Sequence, residues 1–439
     1  MTKDATLPPD GDYWRQRPPA SAWRLFGIAL SPRVLWAASF ASAASLALYL
    51  VWLSHQPQMD FQVYRMGAEH VFGSGLYSSE ITVQGRPLLF TYPPFAAVLF
   101  WPLSNVSTFV GQVTWDVFNL AALAALIVVS IAAARGRRPT RADWRTALLL
   151  LGPIGLLLYP VRIDLALGQV NIVLTLMIVA DLTMGVRCRG RCLPRGVLVG
   201  LAAAIKLTPL VFIAYLVVSR QWRIARNATL GFVATIGAMF ALNPRASWLY
   251  FTKDAFDVGR IGNSQLLGNQ SLHAAITRGH LSLSGADFYL VCVVLLCIGV
   301  TLAAVAYRHS SALLAVVLCA ATGLMLSPIS WTHHYVWIVP FLIWLVAGVD
   351  RPTGGEWWAL AAALTFVVML PFTSSGSGLV WYVRANAYVI ATMLFMVLTA
   401  IMLSLRNHTA VNHRVLVELV DDDVRAADHN VARSTTRPE

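Results

Sequence analysis

The sequence predicts an all-α polytopic membrane protein, a bundle of about 10–12 transmembrane helices with extracytoplasmic loops. Three observations point there. Of 439 residues, 57% are hydrophobic and 12% are charged, where a soluble chain carries about a quarter charged residues. Mean hydropathy is +0.63. The apolar residues fall in repeated runs near the ~20 residues a spanning helix needs, without the alternating pattern of an outer-membrane barrel.

Residues 1–33 hold Pro8, Pro9, Pro18 and Pro19 with Arg15, Arg17, Arg24 and Arg33, which predicts a polar cytosolic tail. No cleavable signal peptide is expected there. The first span, 34–53, then runs outward. Residues 62–72 place Val63, Met66 and Val71 at helical spacing, the pattern of a short amphipathic helix lying on the membrane. Pro93-Pro94 prevents a helix from starting earlier and pre-organises the first turn of the one that follows.

Apolar segments continue at 95–103, 113–134, 144–159, 165–184, 196–218, 229–242, 288–307, 313–326, 335–349, 358–372 and 387–405. The first is too short to span alone, and 196–218 is interrupted by Lys206 and Pro209. Both are expected to be re-entrant or broken helices lining a protein-enclosed cavity. Residues 406–439, with Asp421, Asp422 and Asp423, are expected to form a disordered cytosolic tail.

Arginines cluster between spans: Arg135, Arg137, Arg138, Arg141 and Arg145; then Arg187, Arg189, Arg191 and Arg195; then Arg220, Arg223 and Arg226. This is the distribution of the positive-inside rule, so the net charge of +12 implies cytosolic loops and no nucleic-acid partner. A multi-pass plasma-membrane protein with both termini cytosolic follows. The Asp60 loop (54–90), Arg162-Ile163-Asp164, the loop 243–287, the turn 327–334 and the segment 374–385 then lie outside. Cys188 and Cys192 flank a basic turn and Cys292, Cys297 and Cys319 lie in spans, which gives no disulfide framework and no zinc site.

Several polar residues ask for a reason. Asp60 follows the first span, where it is either a helix N-cap or a carboxylate facing a lipid head group; Val63 three residues on gives no capping box. His333 and His334 either border an aromatic belt with Trp331 and Tyr335 or bind phosphate. Asp164, Gln169 and Asn171 sit at the edge of a span, where polar groups are costly unless they face a cavity. Lys206 either snorkels or faces the same cavity. Asn269 and Gln270 belong to a loop that could bind sugar and phosphate or stay solvated. No dinucleotide fingerprint, P-loop or serine elbow is present.

Six runs occur in order: Asp60-Phe61-Gln62-Val63-Tyr64, Phe90-Thr91-Tyr92-Pro93-Pro94-Phe95, Gly168-Gln169-Val170-Asn171, Lys206-Leu207-Thr208-Pro209, Asn269-Gln270-Ser271 and Ser327-Pro328-Ile329-Ser330-Trp331-Thr332-His333-His334. Together they resemble the actinobacterial glycosyltransferase family 87, GT-C fold enzymes that use polyprenyl-phosphate-mannose to form α-(1→2)-mannosides. The resemblance implies a GT-C-like catalytic domain over 34–405 and an inverting mannosyltransferase. Asp60 would be its general base, with His333, His334 and Lys206 at the donor phosphate and Tyr92, Asp164, Gln169, Asn171, Asn269 and Gln270 around the substrates. The implied partners are polyprenyl-phosphate-mannose, a lipid-anchored mannoside acceptor and membrane lipids; no cofactor or metal is expected. The mannan core of lipomannan and lipoarabinomannan is the favoured acceptor, phosphatidylinositol mannosides the alternative. A flippase of lipid-linked sugar is the alternative of another class.

Overall fold

A computed structural model describes residues 32–188, 191–262, 265–281, 283–309, 311–347, 376 and 378–405. The expected span 358–372 and nearly all of both expected tails lie outside these residues. Helix α1 (Pro32–Leu53) is followed by α2 (Met59–Glu69), a hairpin of β1 (Glu80–Val83) and β2 (Arg86–Leu89), α3 (Pro94–Ser104) and α4 (Thr108–Ala134). Then come α5 (Arg141–Leu157), α6 (Tyr159–Leu167), α7 (Asn171–Thr183), the two-residue strands β3 (Arg187–Cys188) and β4 (Arg191–Cys192), α8 (Val197–Ile205), α9 (Val211–Val218) and α10 (Trp222–Leu242). The rest is α11 (Pro244–Thr252), α12 (Leu272–Arg278), α13 (Gly285–His309), α14 (Ala312–Leu326) and α15 (Ile338–Ala347), with α16 (Gly378–Ala385) and α17 (Ala387–Leu405). The chain is a mostly helical, multi-pass membrane protein, and its only described strands form two small antiparallel hairpins.

Five described helices are long and apolar enough to cross a membrane, six if the bent pair α5–α6 is one span. Shorter apolar helices fill the interior, and the difference from a row of uniform spans has local causes. The expected segment 144–159 bends by 82° into α6, where Leu158 is extended (ψ 104) and Pro160 stands in the next first turn. The expected segment 165–184 is cut by Gly168, so α7 starts only at Asn171. Segment 196–218 is broken as anticipated: Lys206 is extended (φ −149, ψ 131) and Thr208–Leu210 form a 3-10 turn. Pro94 opens α3 at its first position, after an extended Pro93.

The helix expected to lie on the membrane at 62–72 instead runs over Met59–Glu69 and buries Phe61, Val63, Tyr64 and Met66 within the protein, against α3. Asp60 is therefore the second residue of α2 and not its N-cap; Gln58 holds that position at φ 44 without a side-chain cap. At the centre stands α14, buried along most of its length and packed on α13, α9, α7 and α15. Trp36, Phe40, Leu230, Val233, Val293 and Ile298 on α1, α10 and α13 face outward, as lipid-facing side chains do.

Candidate active site

The first turn of α2 is clamped from two sides. Gly168 ends α6 in the left-handed region (φ 70, ψ 36), and a Cβ there would lie 2.6 Å from Phe61 Cβ. Only glycine permits both that backbone conformation and that approach. The Trp115 indole of α4 donates to Gly168 O at 2.8 Å. Gln58 donates to both carboxylate oxygens of Asp116, at 3.0 and 2.8 Å. Neither Trp115 nor Asp116 was singled out from the sequence, although a carboxylate inside an apolar run is a signal that could have found the second.

From this clamp Asp60 enters a polar network. Gln169 hydrogen-bonds the Asp60 carboxylate. Its Oε1 accepts from Tyr64 Oη at 3.0 Å, Tyr92 Oη at 3.1 Å and Asn171 Nδ2 at 3.3 Å. Asn171 Nδ2 also donates to Asp164 Oδ1 at 2.7 Å, and Asn171 Oδ1 accepts from Lys206 Nζ at 2.9 Å. Lys206 Nζ reaches His334 Nε2 at 3.1 Å and lies 5.6 Å from the Tyr92 ring centroid, within cation–π range. An ammonium cannot accept, so Nε2 of His334 is the acceptor and that imidazole is neutral.

Two buried atoms of the cluster have no hydrogen-bond partner among the described residues: Asp164 Oδ2 and His333 Nε2. His333 packs edge-on against His334, at 4.8 Å and 85°. Burial pushes the Asp60 carboxyl up to about 6, with the Gln169 hydrogen bond and the Lys206 charge pulling it partway back. A cavity of ≈ 40 Å³ is lined by Lys206, Asn171 and His334 together with apolar groups such as Phe212, Leu324 and Ile178.

The histidines are held by a loop-to-loop pairing. Gln270 N donates to Ser330 O at 2.7 Å and Thr332 N to Gly268 O at 2.9 Å. Asn269 Oδ1 accepts from Ser330 N at 2.9 Å and Ser271 N at 3.1 Å, while Gln270 bridges Ala385 O and Tyr388 N. Both side chains are fully buried. The structure thus joins Asp60, Tyr92, Asp164, Gln169, Asn171, Lys206 and His334 in one connected group, with His333 beside it. Asn269 and Gln270 are spent on backbone atoms at its edge.

One carboxylate poised to ionise near neutrality, a second carboxylate, an ammonium and a free imidazole nitrogen can deprotonate a hydroxyl and receive an anion. Among the described residues no group of three or more His, Cys, Asp or Glu is placed to hold a metal ion.

Comparison with known proteins follows the same line. A family model described as "Glycosyltransferase family 87" matches residues 90–328. A polyprenol-phosphate-mannose-dependent alpha-(1-2)-phosphatidylinositol mannoside mannosyltransferase of Mycobacterium tuberculosis (strain ATCC 25618 / H37Rv) is 33% identical over 344 residues, covering 74% of this chain and 79% of the relative. A polyprenol-phosphate-mannose-dependent alpha-(1-2)-phosphatidylinositol pentamannoside mannosyltransferase of Mycolicibacterium smegmatis is 32% identical over 386 residues, covering 83% and 91%. No solved structure matches.

Proposed function

The chain belongs to glycosyltransferase family 87, a family of GT-C membrane glycosyltransferases, and from that premise we propose that it transfers mannose from polyprenyl-phosphate-mannose to a 2-hydroxyl of a phosphatidylinositol mannoside. The sequence alone favours the mannan core as acceptor. The curated relatives carry phosphatidylinositol mannosides in their names, and that acceptor replaces it here.

Asp60 is the general base. It takes the proton of the acceptor hydroxyl as that oxygen bonds to the anomeric carbon, and the bond from that carbon to the donor phosphate breaks. Attack opposite the phosphate inverts a β-linked donor into an α product. A carboxyl pushed up to about 6 is ionised at neutral pH yet basic enough to share a proton in the transition state. Lys206 receives the departing phosphate charge, and His333 Nε2, unpartnered among the described residues, serves as second donor. His334, its Nε2 occupied by Lys206, orients that lysine. Asp164 and Asn171 fix Lys206 from the other side.

The observation that carries this assignment is the convergence of Asp60, from α2, and Lys206, from the break between α8 and α9, on the Gln169–Asn171 bridge. The mixture of polar and apolar walls in the cavity beside Lys206 suits an amphiphile whose phosphate stays at Lys206. We also propose the extracytoplasmic face for the site, on the arginine clusters between the spans. The experiment is transfer of radiolabelled mannose from polyprenyl-phosphate-mannose to purified phosphatidylinositol mannosides by the reconstituted protein. Product cleaved by an α-(1→2)-mannosidase is expected; donor translocated across vesicles without product would establish the flippase instead.

A further inference from the structure

Seven arginines among the described residues are buried or half-buried, and six of them reach an acceptor. Arg65, Arg195, Arg260 and Arg278 bond backbone or amide oxygens, and Arg135 and Arg137 pair with Asp143. The seventh is Arg162, on α6. Its guanidinium has no hydrogen bond and no ion pair among the described residues, and its Nε is buried without a partner. Its contacts are aromatic: Cζ lies 6.0 Å from the Trp52 ring centroid and 5.4 Å from that of Tyr159. The α1 hydroxyl of Tyr49 ties this turn of α6 to the end of the first span through Arg162 O, at 3.4 Å.

Aromatic faces offset part of the cost of removing a guanidinium from water, but they leave its N–H fork empty. A planar fork of this kind matches the oxygens of a phosphate. We propose that Arg162, framed by Trp52 and Tyr159, binds the phosphodiester of the acceptor lipid. The proposal rests on the mannosyl-transfer reading above and adds to it where the acceptor is anchored.

Geometry separates the two lipid phosphates. The donor phosphate is bonded to the reacting carbon, so it must lie within reach of Asp60 and Lys206. That is the side of α6 from which Asp164 meets Asn171. Arg162 precedes Asp164 by two positions, and side chains so spaced leave a helix about 200° apart. With its side chains a helix is ~10 Å thick, so a phosphate on Arg162 sits across α6 from the contact of Asp164 with Asn171, apart from the leaving group. It is suitably far for an acceptor whose reacting mannose is separated from its phosphodiester by inositol and further sugar. Trp52, at the end of the first span, places that phosphodiester at the membrane boundary, where the acyl chains of such a lipid end.

The test uses the full-length protein in detergent and measures binding of dioctanoyl-phosphatidylinositol, which has the phosphodiester and no mannose, against binding of polyprenyl-phosphate-mannose. Arg162→Gln is expected to weaken the phosphatidylinositol probe about tenfold or more and to leave donor affinity unchanged. Arg162→Lys, which keeps the charge without the fork, is expected to fall between. Unfolding midpoints of both variants show whether they are folded. Equal affinity of wild type and Arg162→Gln for the inositol lipid overturns the proposal, as does a loss that falls on the donor instead. Because the readout is binding, a failure of mannose transfer by the wild type refutes the proposed function alone and leaves this result standing.

Discussion

Asp60→Asn is the substitution that separates chemistry from folding. The carboxyl is pushed from 3.8 to about 6 mainly by burial. One unit of such a shift is worth ~1.4 kcal/mol, so keeping Asp60 ionised at neutral pH costs the fold at most about 3 kcal/mol. Partial exposure of the side chain reduces the expected figure to roughly 1–2 kcal/mol. A raised folded-state value means that the native protein holds the proton more tightly than the unfolded chain. That stabilisation is complete below 3.8 and is lost as pH rises through about 6. Asparagine cannot ionise and escapes the loss.

The variant is therefore expected to be more stable than wild type at neutral pH, by about 1–2 kcal/mol, with a higher unfolding midpoint in detergent. The advantage should vanish below 3.8. Mannose transfer should fall about 10²–10⁴-fold. Wild-type log kcat/KM should rise with pH up to about 6 and then level off, and the residual activity of the variant should lack that acid limb. Near-normal transfer by a folded variant refutes the base assignment. A variant less stable than wild type at neutral pH refutes the account of how burial acts on Asp60.

Lys206→Gln removes a charge that draws the Asp60 carboxyl downward, so the acid limb should move to higher pH while kcat drops on the order of 10²-fold; an unmoved limb means Lys206 does not act on Asp60. Gly168→Ala brings a Cβ 2.6 Å from Phe61 Cβ at φ +70, and should cost about 2–4 kcal/mol in stability with a loss of turnover as α2 shifts. Asn269→Ala removes two accepted backbone bonds and one donated to Pro328 O. It should cost roughly 2–3 kcal/mol in denaturant unfolding while the folded fraction keeps wild-type KM values; a selective rise in KM would make Asn269 a substrate contact.

Local chemistry is what the sequence expresses well. Pro93-Pro94 and Lys206-Leu207-Thr208-Pro209 mark a helix start and a break because proline and an interior lysine act through the adjacent backbone, and the structure has α3 and the α8–α9 break where those residues are. Motif order also anticipates the grouping of Tyr92, Gln169, Asn171 and Lys206. Asn269 and Gln270 show the opposite case. A loop amide looks the same in sequence whether it feeds a sugar or a backbone group, and only the partner loop at Ser330 decides. The role of Arg162 and the pairing of Asp116 with Gln58 are not legible in the sequence for the same reason, since they depend on α1 and α4, although a carboxylate inside an apolar run does mark Asp116 itself.

The spread of the site along the chain has a consequence for biosynthesis. Asp60 and Asp164 leave the ribosome well before Lys206, and His334 follows only after α13 and α14. A chain inserted as far as α7 holds both carboxylates without the lysine whose charge draws the Asp60 carboxyl downward. Asp60 and Lys206 are brought to one hydrogen-bonded network only when the later helices dock. On the mannosyl-transfer reading proposed above, a nascent or truncated chain lacks the cation that receives the departing phosphate, and competence arrives together with the completed bundle.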